Sequence, residues 1–138
     1  MAIFSKKTTD LLYLTVLASV LFWFAYTKGW ILANFDSINA KEAITLLEND
    51  ENVILLDVRT IKEYKKGHLQ GATLIPLYAL EANLGMLKRD KEKKIIVYCQ
   101  SGNRSVAASR ILEKKGFTPL NVKGGISALI KANAQIAK

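Results

Sequence analysis

The chain has 138 residues, half of them apolar, and a formal net charge of +8 from 20 Lys+Arg against 12 Asp+Glu. That length bounds one modest domain, or one domain with an appendage. One cysteine excludes an internal disulfide and a multi-cysteine metal site, one histidine argues against a His-based metal site, and no cofactor is called for. The basic residues are scattered or in short runs, such as Lys65-Lys66 and Lys114-Lys115, with no aromatic interleaving. They read as a solvated surface, not as a nucleic-acid face.

Residues 1–10 form a short polar N-terminus with Lys6, Lys7 and Asp10. Leu11 to Thr27 then runs without a charge. As a helix it would reach ~25 Å, and ~34 Å if continued through Lys28 to Ala33, enough for the ~30 Å hydrocarbon layer. Trp23 and Trp30 lie toward one end, where aromatic belts form. A cleaved signal peptide lacks a convincing cleavage site here, and a buried core helix would not be so evenly apolar. The expectation is a single-pass membrane anchor over 11–33. Lys6 and Lys7 on one side nearly balance Lys28 and Lys41 on the other, so flanking charge hardly orients it. An unpaired cysteine suits a reducing compartment, which favours the cytoplasmic face.

The remainder, 36–138, reads as one α/β domain with a mainly parallel sheet. Asn34 to Ile38 is a junction and first short strand. Asn39-Ala40-Lys41-Glu42 has the form of a capping box opening a helix to Glu48. Val53 to Leu56 is a continuous apolar run, the mark of a strand covered on both faces, and leads into Asp57-Val58-Arg59. Ile61 to Lys66 is a short helix, Gly67 to Ala72 a turn, and Thr73 to Ile75 a strand stopped by Pro76. Leu77 to Leu87 has helical spacing, and Lys88 to Lys94 is a charged loop. Strand 95–98 precedes Cys99-Gln100-Ser101-Gly102-Asn103-Arg104-Ser105, helix 106–115 follows, and Gly116 closes it. Leu120 to Val122 is a last strand, Gly124-Gly125 a turn, and Ile126 to Ala137 a final helix.

The cysteine therefore sits at a strand-to-helix turn, at the carboxyl end of an apolar strand, where open α/β sheets bind ligands. Backbone N–H groups converge there and the helix dipole favours negative charge, so the place suits a reactive thiolate. Loop amides from Gln100 to Ser105 can form an anion nest, and Gly102 permits its curvature. Arg104 is expected to add positive potential or brace the loop, and Ser105 to cap the following helix. Asp57 can hold the loop or orient Arg59. Arg59 and Glu63, four apart, could pair on a helical face. His68, in its glycine turn, reads as architectural.

Asp57-Val58-Arg59, Glu63-Tyr64, Gly67-His68-Leu69-x-Gly71-Ala72, Ile75-Pro76, Val97-Tyr98-Cys99-x-x-Gly102-x-Arg104-Ser105, Gly116-Phe117 and Gly124-Gly125-Ile126, in this order and spacing, resemble a single-domain rhodanese. The resemblance spans about 36–130. It implies the rhodanese fold and sulfur transfer through a persulfide on Cys99. The donor would be a small sulfur-containing anion such as thiosulfate, or another persulfide. The acceptor would be cyanide, a thiol or a protein. Four residues separate Cys99 from Arg104, and rhodanese-fold phosphatases resemble this loop with one residue more. The shorter loop favours sulfur over phosphate or arsenate, which stay as alternatives beside a non-turnover carrier or partner-binding module. Where members often carry an aromatic after the second glycine, this chain has Leu129.

Overall fold

The structure is a computed structural model that describes residues 6–138. They divide into two compact units, one up to Leu32 and the other Ala33–Lys138.

The first unit is built on helix α1, Lys6–Thr27, with no buried residue. Twenty-two residues give ~33 Å, so this helix is long and apolar enough to cross a membrane. It starts earlier than the apolar run suggests and stops at Thr27, short of the expected Ala33. The stop is local. Gly29 has φ 71° and Leu32 has φ 52°, both left-handed. The Trp30 N–H returns to the Ala25 carbonyl at 3.0 Å, closing the last turn.

The second unit is a three-layer α/β body. Strands β1 (Asp36–Ile38), β2 (Val53–Asp57), β4 (Thr73–Leu74), β5 (Lys94–Tyr98) and β6 (Thr118–Val122) form a parallel sheet in the order β1-β6-β5-β2-β4. Pro119 is tolerated in β6 because β1 pairs only from Leu120 onward, so the proline lies where the strand has one neighbour. Helices α2 (Ala40–Asn49), α3 (Ile61–Lys66), α4 (Asn103–Lys114) and α5 (Gly125–Lys131) complete the unit. Asn39 caps α2 through a bond from the Glu42 N–H at 2.9 Å.

Side-chain alternation divides the core in two. Leu55, Ile96, Tyr98, Leu120 and Val122 face one layer with Ala43, Ile126 and Leu129. Leu56, Ile95, Val97 and Cys99 face the other with Ala108, Leu112 and Phe117. The period of two that buries Ile95 and Val97 against α4 thereby delivers Cys99 to the same side. Leu129, where an aromatic was missing, is fully buried and fills its place with aliphatic contacts.

Three expectations are corrected. Leu77 to Leu87 is not an α-helix: it folds as two 3-10 segments, Leu77–Ala79 and Glu81–Asp90. Helix α4 begins at Asn103, three residues before 106, because Gly102 at φ 106° turns the chain directly into it. The final helix ends at Lys131, since Asn133 adopts φ 66°, and the chain after it forms β7 (Ile136–Ala137). That strand pairs antiparallel with β3 (His68–Leu69), inside the expected turn.

Candidate functional site

Strands β2 and β5 are neighbours with Asp57 opposite Tyr98, so the residues after each strand emerge side by side. Asp57 to Arg59 meets Cys99 to Ser105 at the carboxyl edge of the sheet. The third contributor is Gly124-Gly125-Ile126, arriving from β6.

Cys99 is 1% exposed, and its sulfur is held by the loop itself. The Gly102 N–H donates to Sγ at 3.1 Å, and the thiol lies 3.6 Å from Ser105 Oγ, which donates to the Gly102 carbonyl at 3.1 Å. Ser105 thus acts within the first turn of α4 on Gly102 and the sulfur, not as an N-cap, a place taken by Gly102. Of the other loop residues, Gln100, Ser101 and Asn103 are exposed and Arg104 is half-buried.

The loop is clamped from behind by α5. The Ile126 N–H donates to the Cys99 carbonyl at 2.8 Å, Ser127 Oγ donates to the Gln100 carbonyl at 3.1 Å, and Gln100 Nε2 returns to Ser127 Oγ at 3.3 Å. This approach requires glycine at 125. Its φ is 57°, and a Cβ there would collide with the Cys99 carbonyl oxygen and come within 2.7 Å of the Gln100 carbonyl carbon.

Two ion pairs flank the sulfur. Asp57 and Arg59 are both buried; Nε donates to both carboxylate oxygens at 3.1 Å and Nη2 to Oδ2 at 2.8 Å. Nη2 also reaches the Gly67 carbonyl at 2.8 Å, and Nη1 lies 3.4 Å from Gln100 Oε1. Burial pulls the Arg59 guanidinium down, but the hydrogen bonds and charge of Asp57 outweigh it and leave it above its ordinary value. Tyr98 is pushed well up by burial and by the Asp57 carboxylate; its hydroxyl accepts the Leu69 N–H at 3.1 Å.

The second pair was not legible in the sequence. Arg104 grips Glu63 with two bonds, Nη1 to Oε2 at 2.8 Å and Nη2 to Oε1 at 2.7 Å. The expected Arg59–Glu63 pairing is therefore replaced: Arg59 turns to Asp57 and Glu63 to Arg104. Glu63 also closes a capping box with Thr60 at the start of α3. The Arg104 guanidinium, with smaller help from Thr60, holds the Glu63 carboxyl well below the usual carboxylate range. Glu63 in turn raises Arg104, with a smaller contribution from Cys99. The four-residue Thr-x-x-Glu motif, Thr60 to Glu63, was the available signal for Glu63.

His68 lies apart from the sulfur's partners. Its ring stacks on Tyr64 at 3.6 Å between centroids, with Nδ1 3.1 Å from the Tyr64 carbonyl, while Tyr64 Oη bonds the Ala72 carbonyl at 2.8 Å. Among the described residues, no group of three or more His, Cys, Asp or Glu could hold a metal ion.

A family model, Rhodanese-like domain, matches residues 39–132. The chain belongs to the rhodanese-like family. Thiosulfate sulfurtransferase PspE of Escherichia coli (strain K12) is 35% identical over 71 residues, covering 51% of this chain and 68% of PspE. A sulfurtransferase of Allochromatium vinosum is 30% identical over 94 residues, or 67% of this chain and 86% of that protein. YrkF of Bacillus subtilis (strain 168), which bears a sulfur-carrier name, is 40% identical over 81 residues, but the chain spans only 43% of it. Among solved structures, a rhodanese-related protein from Thermoplasma volcanium superposes with a TM-score of 0.66 at 33% identity, covering 75% of this chain and 98% of its own. The rhodanese fold is thus established, and sulfurtransferase relatives support sulfur transfer as the general activity.

Proposed function

We propose that this rhodanese-like chain is a membrane-anchored sulfurtransferase that carries a sulfane sulfur on Cys99. The observation that carries the reading is the sulfur of Cys99 held by the Gly102 N–H at 3.1 Å in a loop whose next helix starts four residues after the cysteine.

In the first half-reaction the Cys99 thiolate attacks the outer sulfur of thiosulfate or a persulfide. The bond from Sγ to that sulfur forms, the donor's S–S bond breaks, and its electron pair leaves with sulfite or with the donor thiolate. In the second half-reaction cyanide or a thiolate takes the outer sulfur and the thiolate is restored. Negative charge stays on sulfur throughout, so the site needs donors more than a base. The Gly102 amide is the nearest, the α4 N-terminus adds its dipole, and further amides of the Gln100–Ser105 loop receive the added sulfur. Arg104, clamped by Glu63, braces the loop, and Asp57 orients Arg59 toward Gln100. Helix α1 is the anchor, spanning the bilayer with the 36–138 domain at the cytoplasmic face.

The likeness to YrkF favours a second reading, in which the persulfide passes to a protein acceptor. Steady-state assays decide between turnover and storage. Thiocyanate production from thiosulfate and cyanide with parallel double-reciprocal lines supports the ping-pong scheme, and Cys99→Ser abolishes it. Hydrolysis of an aryl phosphate with no thiocyanate formed would replace sulfur transfer by phosphatase chemistry.

A further inference from the structure

Beside the loop, outside the sulfur's own cradle, lies a cavity of about 330 Å³. Its lining has two characters. Ile126, Ile130 and Ile136 form an apolar wall, and Arg59, Glu63, Lys66, Gly67 and Gln100 form the rest of the rim. Ile130 and Ile136 are 52% and 40% exposed and share one cavity wall, a contiguous apolar patch of the kind that marks a binding surface. They come from separate elements, α5 and β7, brought together by the β3–β7 pairing.

The charges around this cavity are largely cancelled. Arg59 is matched by Asp57 and Arg104 by Glu63, each at hydrogen-bond distance. Lys66 is the one cation of the lining in no ion pair among the described residues. A small dianion such as thiosulfate would find little uncompensated positive charge and would leave the isoleucine wall wet. A donor with an apolar substituent and one negative charge would cover that wall and face one free cation. Cys99 is 1% exposed, so the bulk of any organic donor has to lie outside the sulfur cradle, and Gln100, next in the chain, lines this cavity.

We infer that the cavity walled by Ile126, Ile130 and Ile136 is the specificity pocket for the organic group of a monoanionic sulfane donor, R–S–S⁻ or its equivalent, and of the thiol that takes sulfur back. The inference rests on the sulfur-transfer reading and specifies its substrate class. The step stays balanced: Sγ bonds to the outer sulfur, the S–S bond of the donor breaks, and the electron pair leaves on R–S⁻ inside the pocket.

The probe is benzenethiosulfonate, an apolar monoanion, compared with thiosulfate on the full-length protein with cyanide as acceptor. Its kcat/KM should exceed that of thiosulfate by about tenfold, the scale of discrimination a small apolar surface supplies. In the double variant Ile130→Asn/Ile136→Asn, both sites being exposed enough to keep the fold, the ratio of the two kcat/KM values should fall about tenfold. A wild-type preference for thiosulfate, or a ratio unmoved in the double variant, overturns the pocket assignment and leaves sulfur transfer standing. Absence of thiocyanate from either donor overturns the reading on which the pocket rests, and the pocket with it.

Discussion

Gly125→Ala is the substitution on which the architecture of the loop depends most sharply. Three effects add. The residue has φ 57°, where an L side chain costs about 1–2 kcal/mol. Its Cβ would sit against the carbonyls of Cys99 and Gln100, backbone atoms that a rotamer change cannot move aside. Relief therefore comes by pulling α5 off the loop, which weakens the Ile126–Cys99 bond at 2.8 Å and the Ser127–Gln100 bond at 3.1 Å, each contributing about 1 kcal/mol. Together these give about 3–5 kcal/mol, the upper tail for a point change. Two glycines serve as references. Gly71 has φ 82° but open space around its Cβ position, so Gly71→Ala carries only the conformational cost of about 1–2 kcal/mol. Gly85 has neither strain nor neighbour, and Gly85→Ala should be neutral or stabilising by up to about 1 kcal/mol. Urea unfolding followed by far-UV circular dichroism ranks the three, and thiocyanate formation should fall most in Gly125→Ala. If Gly125→Ala is no worse than Gly71→Ala, the close packing of α5 on the cysteine loop is refuted.

Other expectations follow from the charge pairs and the anchor. Asp57→Asn should cost about 3–5 kcal/mol by urea unfolding, because it leaves the buried Arg59 guanidinium without its carboxylate; a loss under about 1 kcal/mol would contradict that account. For Glu63 and Arg104, 30% and 35% exposed at the side chain, solvent screening limits the coupling to about 1 kcal/mol in a double-mutant cycle with Glu63→Gln and Arg104→Met. Glu63 titrates lower in the folded than in the unfolded chain. The coupling should therefore be complete above its unfolded value of 4.5 and shrink as pH falls below that point, and a coupling that grows on acidification would reverse the sign. Carbonate washing should leave the full-length chain in the membrane pellet, whereas release into the supernatant would remove α1 as a spanning helix.

The parts of this molecule legible in the sequence were those governed by local pattern. The run Ile95 to Tyr98 declared a buried strand, and Cys99 directly after it declared a strand-to-helix turn. What escaped depended on distant or weak signals. Asn103, Arg104 and Ser105 are polar and read as loop, yet Gly102 starts the helix ahead of them. Leucine spacing over 77–87 suggested an α-helix, but the backbone settled into 3-10 turns whose bonds that spacing does not distinguish. The β3–β7 pair has two residues on each side, too few for any periodicity. The local i,i+4 rule pointed Glu63 to Arg59, whereas its partner Arg104 lies 41 residues away, a distance only the sheet topology closes. The pocket wall was hidden for the same reason: Ile130 and Ile136 looked like two positions on one helix and belong to different elements.

The central claim is that Cys99 accepts and gives up one sulfur atom, and intact-mass spectrometry tests it most directly. After incubation with a sulfane donor the full-length chain should gain about 32 Da, one sulfur atom. Cyanide should remove the gain while thiocyanate appears in equal amount. The tryptic peptide Ile95–Arg104, which holds Cys99, should carry the whole of the added mass. An unchanged mass, or a gain that persists in Cys99→Ser, would contradict the account.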